Sequence, residues 1–291
     1  NDLVSIVITT YNNKLKVDDI ILSAVNQSHK NINVIIVDDG STDGTQEHLQ
    51  DMAKKHLVLK LILKEHGERG LAREAGINLA KELKCNYLLF LDDDMIMQPT
   101  LINTCLDFFK TDKNLGALVI PEKPHSEYKN FYSRVKVFER SLINNAGKKL
   151  GKNSIEAARF WSIGEYDKSG GLNPTEISFE ETQPTIRYVE QGGLILRAYT
   201  TYLQHDEKEA TLKGLISKKY YYFSQMSKTF DSEEKGFLKA LSRWYFFRPV
   251  LYRFSNILNG LRHHILTIGM LFMYICLSFV GVLALFRKPR T

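Results

Sequence analysis

Residues 87–94 read Tyr-Leu-Leu-Phe-Leu-Asp-Asp-Asp, five apolar side chains running without a break into three carboxylates. A short continuous apolar run of this kind reads as a strand buried on both faces, typical of the parallel sheets of α/β proteins. The acids then fall at the carboxyl end of the strand, where open α/β sheets bind ligands. Asp92, Asp93 and Asp94 repel one another, and a core does not tolerate unpaired carboxylates. A solvated acidic turn would accommodate them. So would a divalent cation carrying a phosphate, which takes oxygen ligands.

The sequence before this point repeats the pattern. Val4 to Thr10 is β-rich and apolar, Tyr11-Asn12-Asn13 breaks it, and residues 15–28 carry helical spacing at Leu15, Ile20, Ile21, Leu22 and Val25. Ile32 to Val37 predicts a second buried strand, ending in Asp38-Asp39-Gly40-Ser41-Thr42-Asp43-Gly44-Thr45. Strand, helix and strand in this order form the βαβ unit of an α/β fold. Asp43 or Thr42 is expected to cap the next helix. Val58 to Leu63 follows as a strand and Leu71 to Leu83 as a helix, with Arg73 near its start. Asp38 and Asp39 suit hydrogen bonds to a ribose or base, or else a turn-and-cap role. Arg73 suits a phosphate, or else an ion pair. No G-x-G-x-x-G follows the first strand and no phosphate-binding G-x-x-x-x-G-K-[ST] occurs, which disfavours a dinucleotide site and a P-loop.

These pieces together carry a resemblance. Val4-Ser5-Ile6-Val7-Ile8-Thr9-Thr10-Tyr11-Asn12, Val37-Asp38-Asp39-Gly40-Ser41-Thr42-Asp43, Ala72-Arg73-Glu74-Ala75-Gly76-Ile77 and Phe90-Leu91-Asp92-Asp93-Asp94 occur in that order. They resemble the family 2 glycosyltransferases of the GT-A fold, whose pattern is a VSIVIPTYN-like strand, a VDDGSTD loop, an ARN-x-G helix start and an LD-x-D strand end. Thr9 stands where proline is usual and Glu74 where asparagine is usual. The resemblance implies an inverting, nucleotide-sugar-dependent enzyme. Thr10, Tyr11, Asp38, Asp39, Arg73, Asp92 and Asp93 would bind the donor. Asp92 and Asp94 would hold Mg²⁺ or Mn²⁺.

In the second half, Leu101 to Phe109 predicts a helix and Leu115 to Ile120 a strand stopped by Pro121. Residues 121–160 show no clear periodicity. Glu180-Glu181 reads as a helix start, where paired acids favour the helix dipole. Here the resemblance continues, to the family's E-D-x-x-L-x-x-R-x-x-x-x-G segment: Glu180, Arg187 and Gly192 match in spacing, and Pro184 replaces the leucine. It implies that Glu181 is the catalytic base, in the place of an aspartate, with Glu180 as the alternative. A glutamate can do that chemistry, although it is one methylene longer. Gly193 to Tyr199 predicts another strand. His205 sits where related enzymes carry a late histidine that completes the metal and diphosphate site. Lys218-Lys219-Tyr220-Tyr221-Tyr222 resembles the family's basic-aromatic helix near the acceptor or membrane, and reads equally as an interfacial helix with snorkelling lysines.

The tail changes character. Residues 237–264 mix Trp244, Tyr245, Phe246, Phe247, Tyr252 and Phe254 with Arg243, Arg248, Arg253 and Arg262, the composition of a helix in a membrane interface. Ile265 to Phe286 then carries no charge and is long enough to span a bilayer, or to form a buried or in-plane helix. The net charge of +6 owes much to this end of the chain, beside apolar sequence, and so points to an anionic membrane surface. No nucleic-acid motif accompanies it, and no nucleic-acid partner is expected. The three cysteines, Cys85, Cys105 and Cys276, have neither metal spacing nor a disulfide framework, which fits a reducing compartment. The chain opens on Asn1 rather than Met, as a trimmed fragment would, and no signal peptide is visible.

The expected fold is therefore α/β, a GT-A-type single domain around a mostly parallel sheet, followed by an interfacial segment and a C-terminal transmembrane helix. Residues 1–110 would bind the nucleotide sugar and 111–235 the acceptor, with 236–264 interfacial and 265–286 in the membrane. The expected reaction moves a sugar from a nucleoside diphosphate sugar to a hydroxyl of a glycan or lipid-linked acceptor, at a membrane, with the catalytic domain facing the cytoplasm. Two other readings stand beside it. One is a polyprenyl-phosphate glycosyltransferase. The other is an inactive membrane-bound nucleotide-binding scaffold, for which the glutamate at 181 is the argument.

Overall fold

The computed structural model describes residues 2–67, 69–145, 156–173, 182–225, 246 and 248–286. The chain divides into two compact units, residues 1–123 with 147–205, and residues 124–146 with 206–291.

The first unit contains the elements β1 (Val4–Thr10), α1 (Val17–Val25), β2 (Ile32–Asp38), α2 (Thr45–Lys55), β3 (Leu59–Leu63), α3 (Arg69–Glu82), β4 (Tyr87–Asp92), β5 (Met95–Met97), α4 (Leu101–Thr111) and β6 (Leu115–Val119). After β7 (Glu122–His125), which carries the chain toward the second unit, come β8 (Arg159–Ser162), α6 (Ile163–Lys168), α7 (Thr182–Glu190), β9 (Leu194–Arg197) and β10 (Leu203–Asp206). The main sheet has the order β3-β2-β1-β4-β8-β6-β9. β3, β2, β1 and β4 run parallel, β8 runs antiparallel to both of its neighbours, and β6 and β9 are parallel again. The sheet is thus mostly parallel, with one reversed strand. β5, β10 and β7 make a second, three-stranded sheet.

Apolar residues on both faces of the strands explain the layering. Val4, Ile6, Ile8, Val34, Ile36, Leu89 and Leu91 pack against Ile20 and Ile21 of α1, Leu49 and Met52 of α2, and Ile102 and Cys105 of α4. Val7, Ile35, Val37, Leu88 and Phe90 face the other way, toward Ala72, Ile77 and Ala80 of α3, Tyr166 of α6 and Tyr188 of α7. Helices therefore cover both faces, and sheets covered in this way bind ligands at their strand ends.

Three sequence expectations need correction. The N-cap of α2 is Gly44, in a left-handed conformation at φ +88°, rather than Asp43 or Thr42. Asp43 acts one step away, its Oδ1 accepting from the Thr45 N–H at 3.0 Å. Residues 121–160 hold regular structure after all: β7, β8 and the helix α5 (Phe131–Asn144), which Asn130 caps by accepting from the Ser133 N–H at 2.9 Å. The apolar stripe of α5 was obscured because Glu139 lies buried within it, beside Val135, Phe138 and Leu142. Third, β5 and its pairing with β10 were not visible, because a strand of three residues carries too short a pattern.

The second unit gathers α5, α8 (Leu212–Gln225), a 3₁₀ turn (Pro249–Tyr252), α9 (Phe254–Arg262) and α10 (His264–Phe286). Residues 236–245 and 247 of the expected interfacial segment lie outside the described residues. α10 buries Met270, Met273, Tyr274 and Leu277 against Val135, Phe138 and Leu142, with Leu212, Leu215 and Ile216 of α8 packed alongside. Gly269 permits the close approach: a methyl there would come within 2.6 Å of the Phe131 ring. The opposite side of α10 exposes Ile268, Phe272, Ile275, Phe279, Val282 and Leu283. Residues 264–283 are long and apolar enough to cross a membrane, and a third of that stretch is buried within the protein.

Candidate functional site

The parallel register sets the ends of β1, β2 and β4 side by side. Thr10 pairs with Asp38, and Thr9 with Asp92. The acid-rich loops therefore emerge together at one edge of the sheet, at the point where the strand order reverses between β1 and its two neighbours.

The three acids at the end of β4 go three separate ways. Asp92 Oδ1 accepts from Arg73 Nη2 at 2.7 Å. Arg73 is only 1% exposed and also lies over the Phe90 ring at 5.3 Å. Asp93 Oδ2 accepts from the Thr10 hydroxyl at 2.6 Å, and its backbone carbonyl accepts from Asn13 Nδ2 at 3.1 Å. Asp94 Oδ2 faces His205 Nε2 across 3.7 Å. Asp92 and Asp93 are thus answered by a guanidinium and a hydroxyl from distant parts of the sequence, while Asp94 faces an imidazole.

Asp38 is fully buried and builds its own loop. Its Oδ1 accepts from the N–H groups of Gly40 and Ser41 and from Gln46 Nε2, and its Oδ2 from the Ser41 hydroxyl. Gly40 has φ +77°, and an added Cβ would collide with the backbone of His66. Asp39 sits beside it, its Oδ1 accepting from the Gly67 N–H at 3.3 Å and its Oδ2 3.2 Å from His66 Nδ1. The His66 ring stacks on Tyr11 with centroids 4.3 Å apart. Tyr11 is 44% exposed, so this edge of the site is an aromatic shelf bordered by a carboxylate.

His205 comes from β10, which the pairing of His205 with Met95 places next to Asp94. Its Nδ1 lies 2.9 Å from Glu122 Oε2, and Glu122 is itself 2% exposed. The other oxygen of Glu122 accepts from the Ala157 N–H at 2.6 Å. An imidazole nitrogen and a carboxylate oxygen facing one another, the imidazole backed by a second carboxylate, form a donor set that suits Mn²⁺ and other first-row ions. Asp92, expected beside them as a third ligand, turns its Oδ1 to Arg73. Among the described residues no group of three His, Cys, Asp or Glu side chains converges as a metal cage. Phosphate oxygens and water are ligands that Mg²⁺ and Mn²⁺ commonly take beside such a pair.

The expected base, Glu181 or Glu180, lies outside the described residues. The helix that follows is firmly placed. Thr185 Oγ1 accepts from Arg159 Nε at 3.2 Å, Arg187 Nε donates to the Ser169 carbonyl at 2.8 Å, and the Tyr188 hydroxyl donates to Glu165 Oε2 at 2.7 Å. Arg159 lies on β8 directly opposite Phe90 of β4. Glu122, His66 and Arg159 were not singled out from sequence. Glu122 alone left a trace there: it is an acid soon after a wholly apolar strand.

Comparison with known proteins agrees with this geometry. The glycosyl transferase family 2 pattern matches residues 5–164, more than half of the chain. An uncharacterised glycosyltransferase of Haemophilus influenzae is 26% identical over 148 residues, covering 49% of this chain and 45% of its own length. The Escherichia coli protein UDP-Glc:alpha-D-GlcNAc-diphosphoundecaprenol beta-1,3-glucosyltransferase WfaP is 33% identical over 114 residues, 38% of this chain and 43% of that protein. The matches thus span less than half the length of these relatives. Among solved structures, the mannosyltransferase PcManGT of Pyrobaculum calidifontis, in complex with GDP-Man and Mn²⁺, superposes with a TM-score of 0.63 at 14% identity, covering 99% of this chain and 88% of its own. The architecture is that of the GT-A glycosyltransferases. With its motifs in order at the ends of β1, β2 and β4, the chain belongs to glycosyl transferase family 2.

Proposed function

We propose that the protein transfers a sugar, with inversion, from a nucleoside diphosphate sugar to a hydroxyl of a glycan or lipid-linked acceptor at a membrane surface. The observation that carries this reading is the convergence, at one sheet edge, of the Tyr11–His66 shelf with Asp39 and the Asp94–His205 pair. A nucleobase would stack near Tyr11, and Asp39 would accept from the ribose. Asp38 keeps the loop in the shape that presents Asp39. Thr10, through Asp93, fixes the turn leading to Asp94. Arg73 holds Asp92 at the diphosphate end of the site.

Asp94 and His205 would hold Mn²⁺ or Mg²⁺ on the donor diphosphate, with the nitrogen ligand favouring Mn²⁺. The ion, when bound, supplies Lewis-acid stabilisation of charge on the departing diphosphate. Glu181, or its neighbour Glu180, would take the proton from the acceptor hydroxyl as that oxygen attacks the anomeric carbon. General-base assistance of this type contributes about 10²–10⁴-fold in rate. A single displacement inverts the configuration.

Membrane attachment is supported by the exposed apolar side of α10 and by the basic residues flanking it. Because nucleotide sugars are cytosolic, the site would face the cytoplasm. The Escherichia coli relative named for a lipid-linked acceptor fits the same setting. A polyprenyl-phosphate acceptor would need little help from a base, so the variant Glu181→Gln separates the two readings.

The test is transfer from UDP- and GDP-sugars with Mn²⁺ present, followed for the wild type, Asp94→Ala and Glu181→Gln. Asp94→Ala is expected to abolish metal-dependent donor turnover while the fold survives. Glu181→Gln is expected to lose turnover and retain donor binding. Unchanged transfer by Asp94→Ala would overturn the metal assignment. Full activity of Glu181→Gln with a dead Glu180→Gln would move the base by one position.

A further inference from the structure

We propose that Glu122 is a positioning residue that fixes the tautomer of His205 and thereby makes Nε2 the metal-facing donor. The inference rests on the reading above that Asp94 and His205 hold the ion.

Glu122 opens β7, and His205 lies on β10. The backbones are joined at this point, since the Leu203 N–H donates to the Pro121 carbonyl at 2.8 Å. The Glu122 carboxylate bridges two donors: Oε1 takes the Ala157 N–H at 2.6 Å and Oε2 faces His205 Nδ1 at 2.9 Å. Oε1 accepts from a backbone N–H, and a carboxylate that also accepts at Oε2 puts the ring proton on Nδ1. In the neutral imidazole the lone pair then sits on Nε2, the atom 3.7 Å from Asp94 Oδ2. With Glu122 2% and His205 8% exposed, bulk water is a poor substitute for the carboxylate in setting the proton's position. A carboxylate behind a ligating histidine also raises the basicity of the ligand nitrogen.

Glu122→Gln makes the argument testable with almost no change in volume. A side-chain amide has one acceptor and one donor end. If its oxygen stays on the Ala157 N–H, its NH₂ meets Nδ1 and moves the ring proton to Nε2, which removes the metal-facing lone pair. If the amide turns over, its NH₂ opposes the backbone N–H instead. Neither orientation reproduces the wild-type arrangement.

The experiment is a titration of the whole chain with Mn²⁺, alone and again with UDP or GDP present, following free Mn²⁺ by EPR. It is paired with ¹⁵N NMR of the His205 ring in metal-free protein. The wild type is expected to show the Nδ1–H tautomer. Glu122→Gln should bind Mn²⁺ about 10–100-fold more weakly and show the Nε2–H tautomer, whereas Asp94→Ala should lose the site. An Nε2–H tautomer in the wild type would overturn the proposal, even if no variant folds. So would Mn²⁺ affinity in Glu122→Gln within about threefold of wild type, provided Asp94→Ala is impaired. If Asp94→Ala binds Mn²⁺ like the wild type, the metal reading itself fails and this inference falls with it.

Discussion

Arg73, by its sequence a phosphate contact or a surface ion pair, forms a pair with Asp92 in which the guanidinium is buried. Single replacements on the two sides should therefore differ. The Asp92 side chain retains 19% exposure and can recover some hydration, whereas Arg73, at 1%, cannot. Removing one partner of a buried pair costs about 3–5 kcal/mol, because the other charge is left uncompensated. Asp92→Leu, which removes a carboxylate partner from a guanidinium that cannot rehydrate, should sit in that range. Arg73→Met, which leaves a partly hydrated carboxylate and fills the space with apolar atoms, should cost about 2–3 kcal/mol. The double variant should cost far less than the two added together, since apolar replacement of a whole buried pair is often close to neutral. At roughly 2–4 °C per kcal/mol for a unit of this size, Asp92→Leu should lower the melting midpoint by roughly 6–20 °C. Thermal and urea unfolding of the three variants, with EDTA present to remove metal effects, measures the cycle. Additive costs would refute the brace. So would an Arg73→Met variant of wild-type stability that has lost donor affinity, which would return Arg73 to the phosphate.

Gly269→Ala should destabilise the packing of α10 on α5 by about 1–3 kcal/mol, because the new methyl meets Phe131 and Val135; calorimetry showing no change would remove the close-approach argument. At Glu139, burial raises the carboxyl pKa but Lys136 and Arg248 outweigh it, so the folded-state value lies below the ordinary one. The pair then contributes stability above the usual carboxylate range and loses it as pH falls through the lowered value. Glu139→Gln should accordingly be less stable than wild type at pH 7 and flatter on the acid side, whereas parallel stability curves would show that Glu139 is not the group responsible. Phe272→Asp with Phe279→Asp, both on the exposed side of α10, should weaken sedimentation with anionic vesicles by roughly 100-fold or more, taking about 1.5–3 kcal/mol for each buried ring. Undiminished vesicle binding would clear α10 of that role.

The parts of the fold visible in the sequence are those whose signal is local. β1, β2 and β4 are each an unbroken apolar run ended by a polar loop, and such runs need no partner to be recognised. β5 and β7, with three and four residues, offer no pattern long enough to read. α5 concealed its buried stripe because Glu139 interrupts it, and its charge is answered by Lys136 in the same helix and by Arg248 far along the chain. The site divides in the same way. Its acids could be found because they end strands. Their pairings could not: Arg73 reaches Asp92 across 19 residues, Thr10 reaches Asp93 across 83, and Glu122 reaches His205 across another 83. Nothing in the local sequence encodes those distances.

The reversed strand β8 has a consequence for synthesis. β4 and β6 leave a slot between them that is filled only when Arg159–Ser162 arrives, with Phe90 waiting for Arg159. A nascent chain that has emerged only as far as residue 119 would carry two raw sheet edges lined by Leu88, Leu89 and Leu118, an invitation to pair with a neighbouring chain. The region shared with the family stops at residue 164, two positions beyond the strand that closes this slot. Any truncation meant to isolate the nucleotide half should therefore retain β8 or be prepared to aggregate.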